Sequence, residues 1–258
     1  MNKLERAFSN GKAFIPFITA GDPSLEITEQ LVLEMAKAGA DLIEIGIPFS
    51  DPVAEGPVIQ EADNRALLAG TTTDKIFDMM KRVRNFCNVP IAFMTYANPI
   101  YTYGTEKFMK NCQEVGVDAV IVPDIPFEEK GELVPFCSKF NVAFISMIAP
   151  TSNDRIRMIA AEAEGFVYCV SSMGVTGVRS DIGTDVGHMI KLVKEVKDIP
   201  CAIGFGISTP EQAAEMSKVS DGVIVGSAIV KIVAQYGVEC VPYVAEYVEN
   251  MKNAIENR

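Results

Sequence analysis

Acidic side chains occupy unusual positions in the segment IEIGIPFSDPVAEGPVIQ. Glu44 lies inside an apolar run, and Asp51 and Glu55 follow in a loop rich in proline and glycine. Because side chains alternate along a strand, Glu44 shares a face with Leu42 and Gly46, and we expect it to point inward. Burial would raise the pKa of this carboxyl group and let it exchange protons near neutral pH. The segment predicts acid–base chemistry, against the alternative of a structural glutamate bonded to a Tyr or Ser.

Loops of small residues follow three other apolar runs. They read GVTG, IGFGIST and VGSAI, and a short extra helix is predicted to begin at SAIVKI. Backbone N–H groups in such loops and at a helix N-terminus bind phosphate groups. The predicted contacts are Gly177, Gly206, Gly226 and Ser227. The alternative is that these glycines only permit tight turns.

Aromatic residues and the absence of other reactive groups narrow the chemistry. Phe17, Tyr96 and Tyr168 come at the ends of apolar runs and would wall a flat pocket, unless they are ordinary core. None of these runs contains the lysine that a Schiff-base aldolase needs. The only histidine, His188, lies on a predicted helix and is interpreted as structural, which argues against a metal centre or a Ser/His/Asp triad. The chemistry that remains is proton transfer by carboxylates to a phosphorylated small molecule.

The elements that must position these residues form a repeating pattern. Apolar runs typical of parallel strands are AFIPFITA, DLIEIGI, PIAFMTY, DAVIVPD, VAFISMI, FVYCVSS, PCAIGFG and DGVIVG, with helical segments between them. Eight such units predict one (β/α)₈ barrel over residues 1–258, with an extra N-terminal helix. Long loops are predicted after the second and sixth strands, at 49–70 and 173–185. A doubly wound open sheet is the alternative.

Composition excludes several classes of partner. The net charge of −11 would repel nucleic acid and anionic lipid, so neither is predicted as a partner. The N-terminus lacks the features of a signal peptide, and we expect a cytoplasmic protein. Six widely spaced cysteines fit neither a disulfide framework nor a zinc site, and are predicted to be buried thiols.

The chain resembles the tryptophan synthase alpha subunit family over nearly its whole length. The likeness is carried by IEIGIPFSDPVAEGPVIQ and, in family order, by AFIPFITAGDP, MTYANPI, VDAVIVPDIPFEE, YCVSSMGVTG, GFGISTPEQ and GSAIVKI. The resemblance implies a barrel lyase of tryptophan biosynthesis that needs no cofactor or metal. It would cleave indole-3-glycerol phosphate to indole and glyceraldehyde 3-phosphate. The implied partner is a pyridoxal-phosphate-dependent β subunit in an α₂β₂ complex.

The resemblance also assigns roles to residues. Glu44 matches the catalytic glutamate, and Glu55 stands where the family pattern ADGP has the aspartate that bonds the indole N–H. Thr176 matches the mobile loop residue over the substrate, and Asp51 lies in the loop that faces the β subunit. The remaining matched positions line the pocket or the phosphate site: Phe17, Tyr96, Tyr168, Gly177, Phe205, Gly206, Gly226 and Ser227.

The resemblance leaves two alternatives to an active lyase. Because the extra methylene of Glu55 displaces its carboxylate, the chain could be a weak catalyst that mainly activates a β subunit. A different phosphate-binding barrel enzyme, such as a sugar-phosphate epimerase, is the other alternative.

Overall fold

The eight predicted apolar runs all form parallel strands of one sheet. The computed structural model describes residues 3–170, 182–204 and 206–256. The strands are β1 Ala13–Thr19, β2 Ile43–Gly46, β3 Ile91–Met94, β4 Ala119–Ile121, β5 Ala143–Phe144, β6 Ser146–Ile148, β7 Val167–Val170, β8 Cys201–Gly204 and β9 Gly222–Val225. Their order is β5-β4-β3-β2-β1-β9-β8-β7-β6. Each strand therefore lies beside its neighbours in the chain, and the pairing of β1 with β9 joins the two ends of the chain.

The sheet closes through the segment 143–148. β5 pairs with β4 and β6 pairs with β7, while the N–H of Ile145 between them donates to the carbonyl of Val120 at 2.9 Å. β5 and β6 thus fill one position of the barrel, which gives the eight positions that the sequence predicts. The (β/α)₈ prediction is confirmed, and the open doubly wound sheet is wrong.

Helices follow the strands on the outside. They are α1 Lys3–Ala7, α2 Leu25–Lys37, α3 Pro57–Leu68, α4 Thr73–Val83, α5 Ala97–Tyr103, α6 Thr105–Glu114, α7 Val134–Lys139, α8 Asn153–Glu162, α9 Ile182–Val196, α10 Pro210–Ser217, α11 Ser227–Tyr236 and α12 Val241–Glu256. Short 3₁₀ helices occupy Phe127–Glu132 and Gly237–Glu239. The predicted N-terminal helix and the helix at SAIVKI are confirmed as α1 and α11.

One predicted loop is wrong in its extent. Residues 49–70 were predicted as a long loop, but most of this segment is α3. Pro57 in the first turn suits a helix start, and Ile59, Ala62 and Ala66 recur at helical spacing on the buried face. In the second predicted loop, 173–185, helix α9 already begins at Ile182, and residues 173–181 lie outside the described ranges.

Apolar side chains fill the barrel interior, and α1 closes its amino end. The interior cluster combines small residues with large ones and consists mainly of Ala13, Ile15, Leu42, Ala92, Ala119, Ile121, Ile145, Phe166, Tyr168, Ala202 and Ile224. Leu4 and Ala7 of α1 belong to the same cluster, and the rings of Phe8 and Phe166 lie 5.5 Å apart. A second, larger cluster lies between the strands and the outer helices. The packed amino end leaves space inside the barrel toward the carboxyl ends of the strands.

All six cysteines are buried thiols without disulfide bonds, as predicted. Within the described ranges, no helix combines the length and the apolar character that crossing a bilayer requires.

Arg84, at the end of α4, ties together the amino ends of two strands. Its guanidinium donates to the carbonyls of Cys87 (3.2 Å), Val89 (2.6 Å) and Gly116 (3.0 and 2.6 Å). It also donates to the carboxylate of Asp118 at 2.9 Å. These bonds lie at the barrel end opposite the strand carboxyl ends, where stability rather than catalysis is expected.

Replacing Arg84 with Ala should destabilise the fold strongly. The change removes the guanidinium from three carbonyls and from a mostly buried carboxylate that keeps the N–H of Ile91 as a donor, which costs about 3 kcal/mol in the free energy of unfolding. Arg82→Ala on the same helix is the control, because Arg82 is half exposed and bonds Glu29 in water, where about 0.5 kcal/mol is expected. Urea unfolding measures both variants, and equal losses would contradict the assignment.

Candidate active site

A cavity of about 430 Å³ opens at the carboxyl ends of the strands. Side chains from β1, β2, β3, β7 and β9 form its floor, and the loops after β2, β8 and β9 form its rim. Its lining includes Phe17, Glu44, Glu55, Met94, Tyr168, Gly206, Gly226, Ser227 and Lys231. Sequence-predicted residues from both the acidic segment and the glycine loops thus meet in one place.

Glu44 points into this cavity, as its alternation with Leu42 predicts. It lies on β2 between Phe17 of β1 and Ala92 of β3, and only 1% of it is exposed. Neither carboxyl oxygen has a hydrogen-bond partner among the described residues. Burial, and then the charge of Glu55, raises the pKa of Glu44 to about 8. No Tyr or Ser side chain of the described residues satisfies Glu44, and the raised pKa means that the group carries a proton at neutral pH.

Glu55 lies at the cavity rim, just before the start of α3. Its Oε2 is buried and finds no hydrogen-bond partner in the described part of the chain. Hydrogen bonds with Asp63 and Tyr96 favour the ionised form, but burial outweighs them and raises the pKa of Glu55. Asp63 and Tyr96 thus hold the carboxyl group, and one of its oxygens has no partner among the described residues.

Asp63 was not predicted from the sequence as a residue of this site. It lies on the inner face of α3 with 4% exposure, and its side chain meets that of Glu55. Burial, and then the charge of Glu55, raises the pKa of Asp63. The helical spacing of Ile59, Ala62 and Ala66 was the signal that could have placed Asp63 on a buried face, had the segment not been interpreted as loop.

The three predicted aromatic residues are placed differently from one another. Phe17 and Tyr168 line the cavity. Tyr96 lies behind the acidic loop, and only 2% of it is exposed. Its hydroxyl accepts a hydrogen bond from the N–H of Ala54 at 3.1 Å, and its ring packs on Phe49. It supports the loop that carries Glu55 and is not part of the cavity wall.

Glycine at position 204 makes room for Tyr168. A Cβ added to Gly204 would lie 2.6 Å from Cζ of the Tyr168 ring. The tyrosine can therefore lie across the barrel toward the cavity only because β8 has no side chain there.

The part of the cavity lining that follows β8 and β9 has the features of an anion site. Gly226 precedes α11 without a side-chain cap, so the first N–H groups of the helix have no side-chain acceptor there. Gly206, with φ of +78°, Gly226 and Ser227 all line the cavity here, as predicted. Lys231 lies one turn after Ser227 on α11 and adds a positive charge that the sequence analysis did not identify. The predicted residues Thr176, Gly177 and Phe205 lie outside the described ranges.

Two other residues are placed away from the cavity lining. Asp51 is exposed in the loop after β2 and accepts a hydrogen bond from Ser50 at 2.6 Å. His188 is exposed on α9. In the part of the chain that the structure describes, no group of three or more His, Cys, Asp or Glu side chains is arranged to hold a metal ion.

A closed parallel barrel with its cavity at the carboxyl ends of the strands places the chain in the class of (β/α)₈ barrel proteins. Comparison with known proteins then gives the family. The model of the tryptophan synthase alpha chain family matches residues 4–256, and this chain belongs to that family.

Relatives and solved structures agree with this assignment. The tryptophan synthase alpha chain of Lacticaseibacillus casei is 44% identical over 256 residues, which cover 99% of this chain and 96% of the relative. A crystal structure of tryptophan synthase subunit alpha from Legionella pneumophila superposes with a TM-score of 0.90, at 34% identity and full coverage of both chains. A chain of the tryptophan synthase α₂β₂ complex from Pyrococcus furiosus gives a TM-score of 0.85 at 35% identity, covering 93% of this chain and 98% of that chain.

Replacing Glu44 with Gln should change how stability depends on pH. The folded protein holds the Glu44 proton up to a pKa of about 8, whereas the unfolded chain releases it near the ordinary value of 4.5. Wild-type stability should therefore fall as pH rises between these values, because the folded state binds more protons. In urea unfolding, Glu44→Gln should gain about 3 kcal/mol relative to wild type between about pH 5 and about pH 8. Parallel pH profiles for the two proteins would show that Glu44 is not a buried acid.

Proposed function

We propose that this protein cleaves indole-3-glycerol phosphate to indole and D-glyceraldehyde 3-phosphate. The observation that carries the proposal is the buried, protonated and unpartnered Glu44, in a cavity that ends at the N-terminus of α11. Family membership supports the same reaction. The cavity lining combines a proton donor with a candidate anion site, which matches an indole ring joined to a phosphorylated chain.

Glu44 is proposed to act first as an acid and then as a base. It donates its proton to C3 of the indole ring, which leaves a positively charged C=N group in the ring. The bond to the glycerol chain then breaks, and its electrons neutralise that group. As the bond breaks, the glycerol hydroxyl becomes an aldehyde and returns its proton to the Glu44 carboxylate. The proton balance closes, and such a transfer contributes roughly 10² to 10⁴ in rate.

Glu55 is proposed to stabilise the positive charge on the ring. Glu55 lines the cavity, and its Oε2 has no hydrogen-bond partner among the described residues, so we assign it the role of accepting the indole N–H. The placement favours an active lyase over a weak catalyst, because the longer side chain is held back by Asp63 and Tyr96. Phe17 and Tyr168 would contact the flat ring.

The phosphate group is proposed to bind at the start of α11. The N–H groups there, the hydroxyl of Ser227 and the ammonium of Lys231 all favour a dianion. Gly206 lines the same part of the cavity, and Gly177 and Phe205 are predicted to complete it. Thr176 is proposed to cover the bound substrate.

We further propose that the chain works in the cytoplasm as the alpha subunit of an α₂β₂ complex with a pyridoxal-phosphate-dependent β subunit. The likeness to a chain of the Pyrococcus furiosus α₂β₂ complex supports this. The loop with Asp51 is exposed, and its Val53 is 79% exposed, as expected for a surface that another subunit covers. A phosphorylated substrate would also be retained in the cytoplasm, since its charge prevents passage through a bilayer.

Replacing Glu44 with Gln tests the proposed reaction. The amide keeps the size of the side chain but cannot carry the proton, so kcat for cleavage of indole-3-glycerol phosphate should fall at least about 100-fold with KM within about threefold. Indole release measures this. Glu61→Gln, at an exposed position of α3, is the matched control and should leave both constants unchanged. If Glu44→Gln retains wild-type turnover, Glu44 is not the acid.

Replacing Lys231 with Met tests the phosphate end of the cavity. Loss of one partly screened charge should raise KM about fivefold with little change in kcat, since the group acts equally on substrate and transition state. The effect should shrink at high salt, and Lys231→Arg should restore most of the binding. Lys191→Met, on the exposed side of α9, is the control. Unchanged KM at low salt would remove Lys231 from the phosphate site.

A further inference from the structure

Two carboxyl side chains that approach the cavity from the same side touch each other. Glu55 belongs to the loop after β2, and Asp63 lies two turns into α3. Asp63 is almost fully buried, and Glu55 is partly buried with one oxygen shielded from solvent. Two ionised carboxylates in contact at such a site repel each other strongly, so the pair holds one proton between them near neutral pH.

The surroundings of the pair favour this state. Arg65 follows Asp63 on α3, but its guanidinium is engaged by both carboxylate oxygens of Asp22 at 2.8 Å. Asp22 itself adds negative charge near Asp63. The N–H of Phe49, in the loop after β2, donates a hydrogen bond to Asp63. The other titratable groups that face the pair or share its cavity are Glu44 from β2, Tyr96 at the start of α5, Tyr168 from β7 and Lys231 from α11.

The position of Asp63 decides which member of the pair keeps the proton. Asp63 lies on the face of α3 that packs inward with Ile59 and Ala62, whereas Glu55 lines the cavity. A ligand in the cavity reaches Glu55, so an N–H donor from the ligand stabilises the negative charge there. The proton therefore belongs on Asp63, whose O–H can donate to the Glu55 carboxylate.

We propose that Asp63 is a positioning residue of the lyase reaction: it holds a proton and donates it in a hydrogen bond to Glu55, which keeps Glu55 ionised and directed at the indole N–H. This inference rests on the proposed function for its consequence in catalysis. It also accounts for a buried acid on a helix face that is otherwise apolar, where an alanine would cost less to bury.

Two replacements of Asp63 distinguish this role from simple packing. Asp63→Asn retains a donor of the same size, so the acid side of the pH profile of kcat/KM should stay in place and activity near pH 7 should stay within about threefold of wild type. Asp63→Ala removes the donor that lowers the pKa of Glu55. Less Glu55 is then ionised at a given pH, so the acid limb should move up by about one pH unit and activity near pH 7 should fall about tenfold. If Asn is as damaging as Ala, or if the limb of Asp63→Ala does not move, the proposal is wrong.

A second measurement separates failure of this inference from failure of the proposed function. In a Glu44→Gln background, infrared titration follows the C=O band of protonated carboxyl groups between about pH 6 and about pH 9. Comparison with Glu44→Gln/Asp63→Asn should show one fewer titrating carboxyl group in the double variant. This holds whether or not the wild-type protein cleaves indole-3-glycerol phosphate. An identical titration in both proteins would overturn the shared proton, while loss of the band with no lyase activity in wild type would overturn only the proposed reaction.

Discussion

The proposed chemistry depends on one carboxyl group that the barrel interior shields from water and that has no hydrogen-bond partner among the described residues. Glu44 is fixed on β2 between two neighbouring strands, so it cannot turn outward without breaking the register of the sheet. None of the described residues donates a hydrogen bond to its charged form, and burial raises its pKa to about 8, so the neutral form persists at neutral pH. A proton donor is thus created by position alone, from a residue type that is ordinarily ionised.

The same constraint shapes the charge of the whole cavity. Fully ionised, Glu44, Glu55 and Asp63 would oppose the entry of a phosphorylated ligand. With one proton on Glu44 and another within the Glu55–Asp63 pair, the acidic side carries about one negative charge, which the ammonium of Lys231 offsets. Burial therefore serves two purposes, since it supplies acids for proton transfer and makes the cavity acceptable to an anion.

Much of this architecture follows from local patterns. Apolar runs marked every strand because parallel strands are buried on both faces, and alternation gave the direction of Glu44. Helix α11 was predictable because a glycine and serine open an apolar run. In contrast, α3 was not predicted, because the prolines, glycines and acidic residues before it are typical of loops. Because α3 was not predicted, Asp63 was not recognised as a buried residue. Its pairing with Glu55 depends on the path of the loop, which no local pattern specifies.

Tyr96 shows the same limit in another way. Its place at a strand end correctly indicated nearness to the site, but not which side of the acidic loop it would occupy. That choice is made by packing against Phe49 and by the N–H of Ala54. Tertiary contacts of this kind decide which side chains reach the site, and the periodicity of the sequence does not predict them.

Helix α1 affects how a ligand can reach the cavity. Leu4 and Ala7 lie in the amino end of the barrel and Phe8 packs against Phe166, so α1 separates that end from the cavity at the strand carboxyl ends. A ligand is therefore expected to reach the cavity from the carboxyl ends of the strands, where a neighbouring chain seated on the barrel would control both its arrival and its departure.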